Sequence, residues 1–190
     1  FGTAHRAHAS TAGVAQDAPA VGVGPLLAAE LSALSKALEQ PKAPVVAIVG
    51  GSKVSTKLEV LEALSQKVDT LNVGGGIANT FIAAAGFDVG RSLHEPGLIE
   101  AAKRIRTRVQ VPEVIDVVVS DQLHADARAV VKPVEAVTDA DMIVDLGPQT
   151  MAALLPMIQG AATIIWNGPL GVFEFEAFAG GTRTLTEAIA

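Results

Sequence analysis

Lys53 and Lys57 stand four residues apart, just after Gly50-Gly51, where a backbone turn and two ammonium groups could together hold an anion. The run before them, Val45-Val46-Ala47-Ile48-Val49, is β-branched or small throughout and predicts a buried strand of a parallel sheet, apolar on both faces. The two glycines break that strand, and Val54, Leu58, Leu61 and Leu64 then recur at helical spacing. In such a helix the two lysines share one face. A lysine in the first turn opposes the partial positive charge already there, at a cost of about 0.3–1 kcal/mol unless an anion offsets it. Glycine-loop N–H groups and two ammonium groups therefore point to a bound anion. The bland alternative is two solvated lysines on a surface helix. The run fits neither G-x-x-x-x-G-K-[ST] nor G-x-G-x-x-G.

The elements that must position this turn repeat its pattern. Gly24-Pro25 opens a helix with a Leu27, Leu31, Leu34 and Leu38 stripe, ended by Pro41 and Pro44. Residues 11–23 read as loop. Thr70–Val73 is a strand ended by Gly74-Gly75-Gly76, followed by a helix over Ile77–Ala85. Leu98, Ala101, Ala102, Ile105 and Val109 mark another helix, whose outer face carries Lys103, Arg104, Arg106 and Arg108 as solvated charge. Strands are expected over Val114–Val119, Ala129–Val131 (an edge, limited by Pro133), Asp141–Leu146 and Thr163–Trp166. The last helix begins at Thr182, with Thr184 and Glu187 at capping-box spacing. Asp121 is expected to cap a helix. Phe173, Phe175, Phe178 and Trp166 are expected in the core, and a buried Glu174 among them would need partners.

Strands alternating with helices predict an α/β fold, a Rossmann-like parallel sheet with helices on both faces. Ligands of such sheets sit at the carboxyl ends of the strands. The turns Gly50-Gly51, Gly74-Gly75-Gly76, Gly147-Pro148 and Asn167-Gly168-Pro169 are therefore expected along one edge, forming a groove for a flat, phosphate-bearing ligand such as a nucleotide.

The totals agree. The chain has 190 residues, 49% of them hydrophobic, enough for one sizeable core. A net charge of −6 argues against nucleic acid as a partner. With no cysteine there is no disulfide framework or thiolate chemistry. No apolar run reaches membrane-spanning length. The first residue is Phe1, and the last helical pattern stops at Ala188-Ile189-Ala190 without a stop signal, so the fold is expected to be incomplete at both ends.

The segment Trp166–Phe178 (WNGPLGVFEFEAF) closely resembles the nucleotide-site segment of phosphoglycerate kinases. Phe1–Ser10 (FGTAHRAHAS), Ile48–Lys57 (IVGGSKVSTK), Asn72–Phe81 (NVGGGIANTF) and Leu146–Thr150 (LGPQT) resemble other segments of that family, in the family's order. Ser52 stands where alanine is common, and Ile143-Val144 where a Gly-Leu pair is frequent. The resemblance implies that residues 1–24 are a remnant of an N-terminal substrate domain, 25–40 an interdomain helix and 41–190 a truncated nucleotide-binding domain. It implies reversible phosphoryl transfer from 1,3-bisphosphoglycerate to ADP, giving 3-phosphoglycerate and ATP in glycolysis, with Mg²⁺ accompanying ADP or ATP. The family's Mg²⁺-binding aspartate would lie beyond Ala190, so no metal ligand is expected in this chain. A cytoplasmic location, a monomeric full-length protein and no nucleic-acid or membrane partner are likewise implied.

Residue by residue, the resemblance implies that Arg6 contacts phosphoglycerate, with His5 and His8 on the same basic surface. Lys53 would meet the transferring phosphoryl group and Lys57 the nucleotide phosphates. Gly51, Ser52, Gly75 and Gly76 would line the adenosine and phosphate path. Leu93 and Val144 would pack on adenine, Asn167 would reach the phosphate side, and Pro169, Gly171 and Val172 would form the purine wall. Glu174 would accept hydrogen bonds from the ribose. Lys53 and Arg6 are thus the expected catalytic cations.

Two other readings compete. A dinucleotide-binding dehydrogenase domain needs an acidic residue ending its second strand, where this chain has Gly74-Gly75-Gly76. A non-catalytic nucleotide-binding fragment is the other, since the missing parts would be needed for catalysis.

Overall fold

A computed structural model describes residues 7–190. It divides into two compact units, residues 1–42 and 43–190. In the first, a π-helical turn at Ala9–Gly13 runs into a short helix α1 (Val14–Asp17), so the expected loop is helical up to Asp17. Helix α2 (Pro25–Glu39) starts at Gly24 with Pro25 in its first turn, as the sequence predicts. Of its stripe, Leu31 and Leu34 are exposed, and Leu27 and Leu38 are half-buried.

The second unit is built from β1 (Val45–Gly50), α3 (Leu58–Leu64), β2 (Thr70–Gly74), α4 (Gly75–Ala84), α5 (Ile99–Arg106), β3 (Asp116–Ser120), β4 (Val130–Pro133), β5 (Met142–Leu146), α6 (Pro148–Gln159), β6 (Thr163–Asn167) and α7 (Gly180–Ile189). β2, β1 and β6 form a parallel sheet in that order, flanked by helices, which is the α/β architecture the alternation implied. All six residues of β1 are buried, as befits the central strand of a covered sheet. The register pairs Gly50 with Gly74 and Val49 with Asn167. Three of the glycine turns therefore leave the sheet at one edge.

β3, β4 and β5 form a second sheet, in the order β4-β3-β5, and it is antiparallel. The connections explain this. No helix separates β3 from β4, so these neighbours reverse directly; β5 then passes to the other side of β3, again antiparallel to it and therefore parallel to β4. Ile82, Val89, Val117, Val119, Val134, Val137 and Ile143 pack into a core between this sheet and its surroundings. The reversal moves the fourth turn. Gly147 follows the far end of β5, against Asp116, to whose carbonyl its N–H donates at 2.9 Å. It is the start of β5, at Met142–Val144, that reaches the groove.

Asp116 is buried and accepts hydrogen bonds from the backbone N–H of Gln149 (3.1 Å) and Thr150 (2.7 Å), so α6 is capped from β3. No helix follows Asp121, which therefore caps nothing. Phe178 is core, with Phe175 packed edge-on at 6.0 Å, whereas Phe173 and Trp166 are exposed. Thr184 lies inside α7, not at its start, and forms no capping box.

Candidate nucleotide site

The turns after β1 and β2 touch through their backbones. Gly75 has φ +62°, and a Cβ there would lie 2.7 Å from the carbonyl oxygen of Gly51. A Cβ on Gly76 would lie 2.1 Å from the carbonyl oxygen of Ser52. Only glycine permits both approaches.

Residues 51–57 form a turn, and α3 begins only at Leu58. The expectation of both lysines on one helical face is therefore corrected. Thr56 Oγ1 donates to the Lys53 carbonyl at 2.8 Å and Lys57 N–H to that of Val54 at 2.9 Å, which holds the turn out of helix. Lys57 points back into the sheet edge. Its Nζ donates to Gly50 O and to Asn167 Oδ1, both at 2.5 Å. Partial burial lowers its pKa. Lys53 is exposed on the same turn. The turn is tied down by Glu95, whose Oε2 accepts from Ser55 N–H at 2.8 Å. Hydrogen bonding by the Ser55 side chain, then by its backbone N–H, lowers the Glu95 pKa, with a smaller contribution from the charge of Lys53.

Beside this turn lies a groove of about 250 Å³. Gly51, Ser52, Gly75 and Gly76 line one side, and Leu93 its rim. Val144 forms part of its floor, and Pro169, Gly171, Val172 and Glu174 the opposite wall. Ten of the residues expected at a nucleotide thus converge on one space. Lys53, Lys57 and Asn167 do not line it, although Lys57 and Asn167 join at its end. Glu174 is exposed, so it needs no buried partner. Sequence reasoning missed Asn79, Leu123 and Met142, which also line the groove, as does Ile143, noted beside Val144 but given no role. Asn79 had a signal, a polar residue among the apolar positions of α4. Its Nδ2 donates to Leu93 O at 3.1 Å and so fixes the rim.

The wall is pinned from several elements. Gly75 N–H donates to Leu170 O at 2.6 Å and Val172 N–H to Val144 O at 2.8 Å. Leu170 N–H donates to Thr182 Oγ1, in the first turn of α7, at 3.0 Å.

Asp145, also missed, is 2% exposed. It accepts from Gly181 N–H at 2.6 Å and Leu146 N–H at 2.9 Å. Burial pushes its carboxyl up to about 6 from 3.8, against those two bonds. A raised carboxyl pKa means that the native state holds the proton to higher pH than the unfolded chain does. Stability should therefore fall as pH rises from about 4 to about 6, by on the order of 3 kcal/mol. Urea midpoints at pH 4.5, 5.5 and 7 should show this slope, and Asp145→Asn should remove it.

Of the expected substrate-binding residues, His5 and Arg6 lie outside the described residues, and His8 is exposed in the first unit. Among the described residues no group of three or more His, Cys, Asp or Glu side chains comes together that could hold a metal ion. No helix among them is long and apolar enough to cross a membrane.

The family model described as phosphoglycerate kinase matches residues 1–190. The structure of phosphoglycerate kinase from Coxiella burnetii is similar at 52% identity with a TM-score of 0.88, over 100% of this chain and 50% of that one. The crystal structure of phosphoglycerate kinase from Pyrococcus horikoshii OT3 is similar at 29% identity and a TM-score of 0.82, over 100% of this chain and 49% of that one. The chain thus spans about half the length of these solved structures.

Proposed function

Because the chain belongs to the phosphoglycerate kinase family, we propose that its groove holds the adenosine of ADP or ATP and that Lys53 meets the phosphoryl group exchanged with 1,3-bisphosphoglycerate. The products in that direction are 3-phosphoglycerate and ATP. The observation that carries this reading is the convergence of Gly51, Ser52, Gly75, Gly76, Leu93, Val144, Pro169, Gly171, Val172 and Glu174 on one apolar groove, with Lys57 bonded at the neighbouring sheet edge. Apolar residues accept the flat base. Backbone without Cβ atoms lets the ribose and phosphates come close, and Glu174 stands at the wall for the ribose hydroxyls.

The attacking groups, a carboxylate in one direction and a phosphate oxygen in the other, are already ionised, so no general base is required. The protein's work is alignment and charge neutralisation. Lys57, held by Gly50 O and Asn167 Oδ1, fixes positive charge at the carboxyl edge of β1 and β6. Lys53, on the turn anchored by Glu95, extends that charge toward the transferring group. Arg6, with His5 and His8, would hold phosphoglycerate. In the full-length family these parts belong to a substrate domain (1–24 here), a linking helix (25–40) and a nucleotide domain (41–190), acting as a cytoplasmic monomer with Mg²⁺–nucleotide. The 190 residues alone would bind nucleotide without efficient transfer. The dehydrogenase alternative is disfavoured because β2 ends on Gly74, where an acidic residue would be needed.

Gly76→Ala tests the groove. Its Cβ would meet the Ser52 carbonyl at 2.1 Å, and one of two backbones must move. ADP affinity measured by calorimetry should fall roughly 10- to 100-fold, in line with an overpacking cost of about 1–3 kcal/mol. Gly97→Ala, where nothing lies within 4 Å of the added atom, should leave affinity unchanged. Equal affinities in the two variants would remove the groove as the nucleotide site.

A further inference from the structure

Asp145 stands behind the groove, not in it. Its Oδ2 accepts from Gly181 N–H in the first turn of α7. Its Oδ1 is so close to Gly171 that a Cβ there would lie 2.4 Å away, and one on Gly181 2.6 Å away. The carboxylate is therefore wedged between a wall residue of the groove and the start of α7. The same turn of α7 supplies Thr182 Oγ1 to Leu170 N–H, so the wall and α7 meet at two points.

We infer that Asp145 is a positioning residue for the nucleoside: by joining the first turn of α7 to β5 behind Gly171, it holds the 169–172 wall at the spacing that admits the base. This rests on the reading of the groove as an adenosine site. The charged groups of the surrounding elements leave Asp145 to act alone. On α7 Arg183 is engaged with Glu176 at 2.6 Å. β3 sets Val118 opposite Asp145, and α6 contributes Pro148, Met151 and Leu155 beyond it. Burial, with backbone N–H groups opposing it, governs its ionisation.

Protonation weakens the acceptor for Gly181 and loosens the wall. Base affinity and stability then move in opposite directions as pH falls, whereas a residue that only supports the fold would move both together. The probe is adenosine, which carries no phosphate to titrate. Titrated into the 190-residue chain, it should bind about fivefold more weakly at pH 5 than at pH 7.5. Carbon-detected NMR should give a carboxyl midpoint for Asp145 near 6, and the amides of Gly171 and Val172 should move with that midpoint. In Asp145→Asn that step should vanish, and adenosine affinity should sit at the low-pH value at every pH. Flat Gly171 and Val172 amides through the Asp145 titration would overturn the inference, as would full affinity in the variant. If the variant does not fold, the amide titration of the unmodified chain decides. If adenosine fails to bind at any pH, the adenosine reading of the groove falls, while the amides still report whether Asp145 and the wall are linked.

Discussion

A chain extended to the full length of its family is expected to make ATP from 1,3-bisphosphoglycerate and ADP at least ~10³-fold faster than the 190 residues alone. The solved relatives are twice as long as this chain. On the reading proposed here, the short chain brings Lys53 and Arg6 to the transferring group, and the remaining substrate cations and the Mg²⁺ ligand come from the other half. Each electrostatic element of this kind typically contributes about 10²–10³ in rate, and such losses within one catalytic unit do not simply add. Exclusion of water, which protects an acyl phosphate, also needs the second half to close over the first. A coupled assay of ATP formation on both proteins measures the ratio. Near-equal rates would show that the described groove and its lysines suffice.

In the extended chain, Lys53→Ala should lower kcat by roughly 10²–10³ while changing ADP affinity by less than about threefold. The structure separates the two lysines in a way that motivates this split. Lys57 is bonded to the sheet edge through Gly50 and Asn167 and is suited to holding ground-state phosphate. Lys53 is exposed on the neighbouring turn, where its charge matters most as the phosphoryl group passes. Steady-state kinetics and calorimetry on one variant give both numbers. Parallel losses in kcat and affinity would make Lys53 a simple phosphate holder.

Much of the groove was legible in the sequence because its parts are local. The apolar run of β1 and the glycines behind it define a strand and a turn within a few residues. Gly74-Gly75-Gly76 does the same for β2. What escaped reading is non-local. The reversal from β3 to β4 depends on connection length more than on periodicity, and segment 121–129 is too short for a crossover helix; that signal was available, whereas the passage of β5 to the far side of β3 was not written in any local pattern. The caps of α6 and α7 come from Asp116 and Asp145 on other strands, so a search for capping residues next to each helix fixes on Thr184 instead. The helical face expected for Lys53 and Lys57 fails for a similar reason. Glu95, 40 residues on, holds the turn at Ser55.

The central claim is that the edge where β1, β2 and β6 end, together with the 169–174 wall, recognises adenosine. Its most direct test is amide NMR of the 190-residue chain titrated with ADP and, separately, with NAD. The account predicts that ADP shifts the amides of Gly50–Ser52, Gly74–Gly76 and Gly171–Glu174, leaves those of α2 unmoved, and acts at lower concentration than NAD. Stronger shifts of the same amides by NAD, or ADP shifts confined to residues away from this edge, would contradict it.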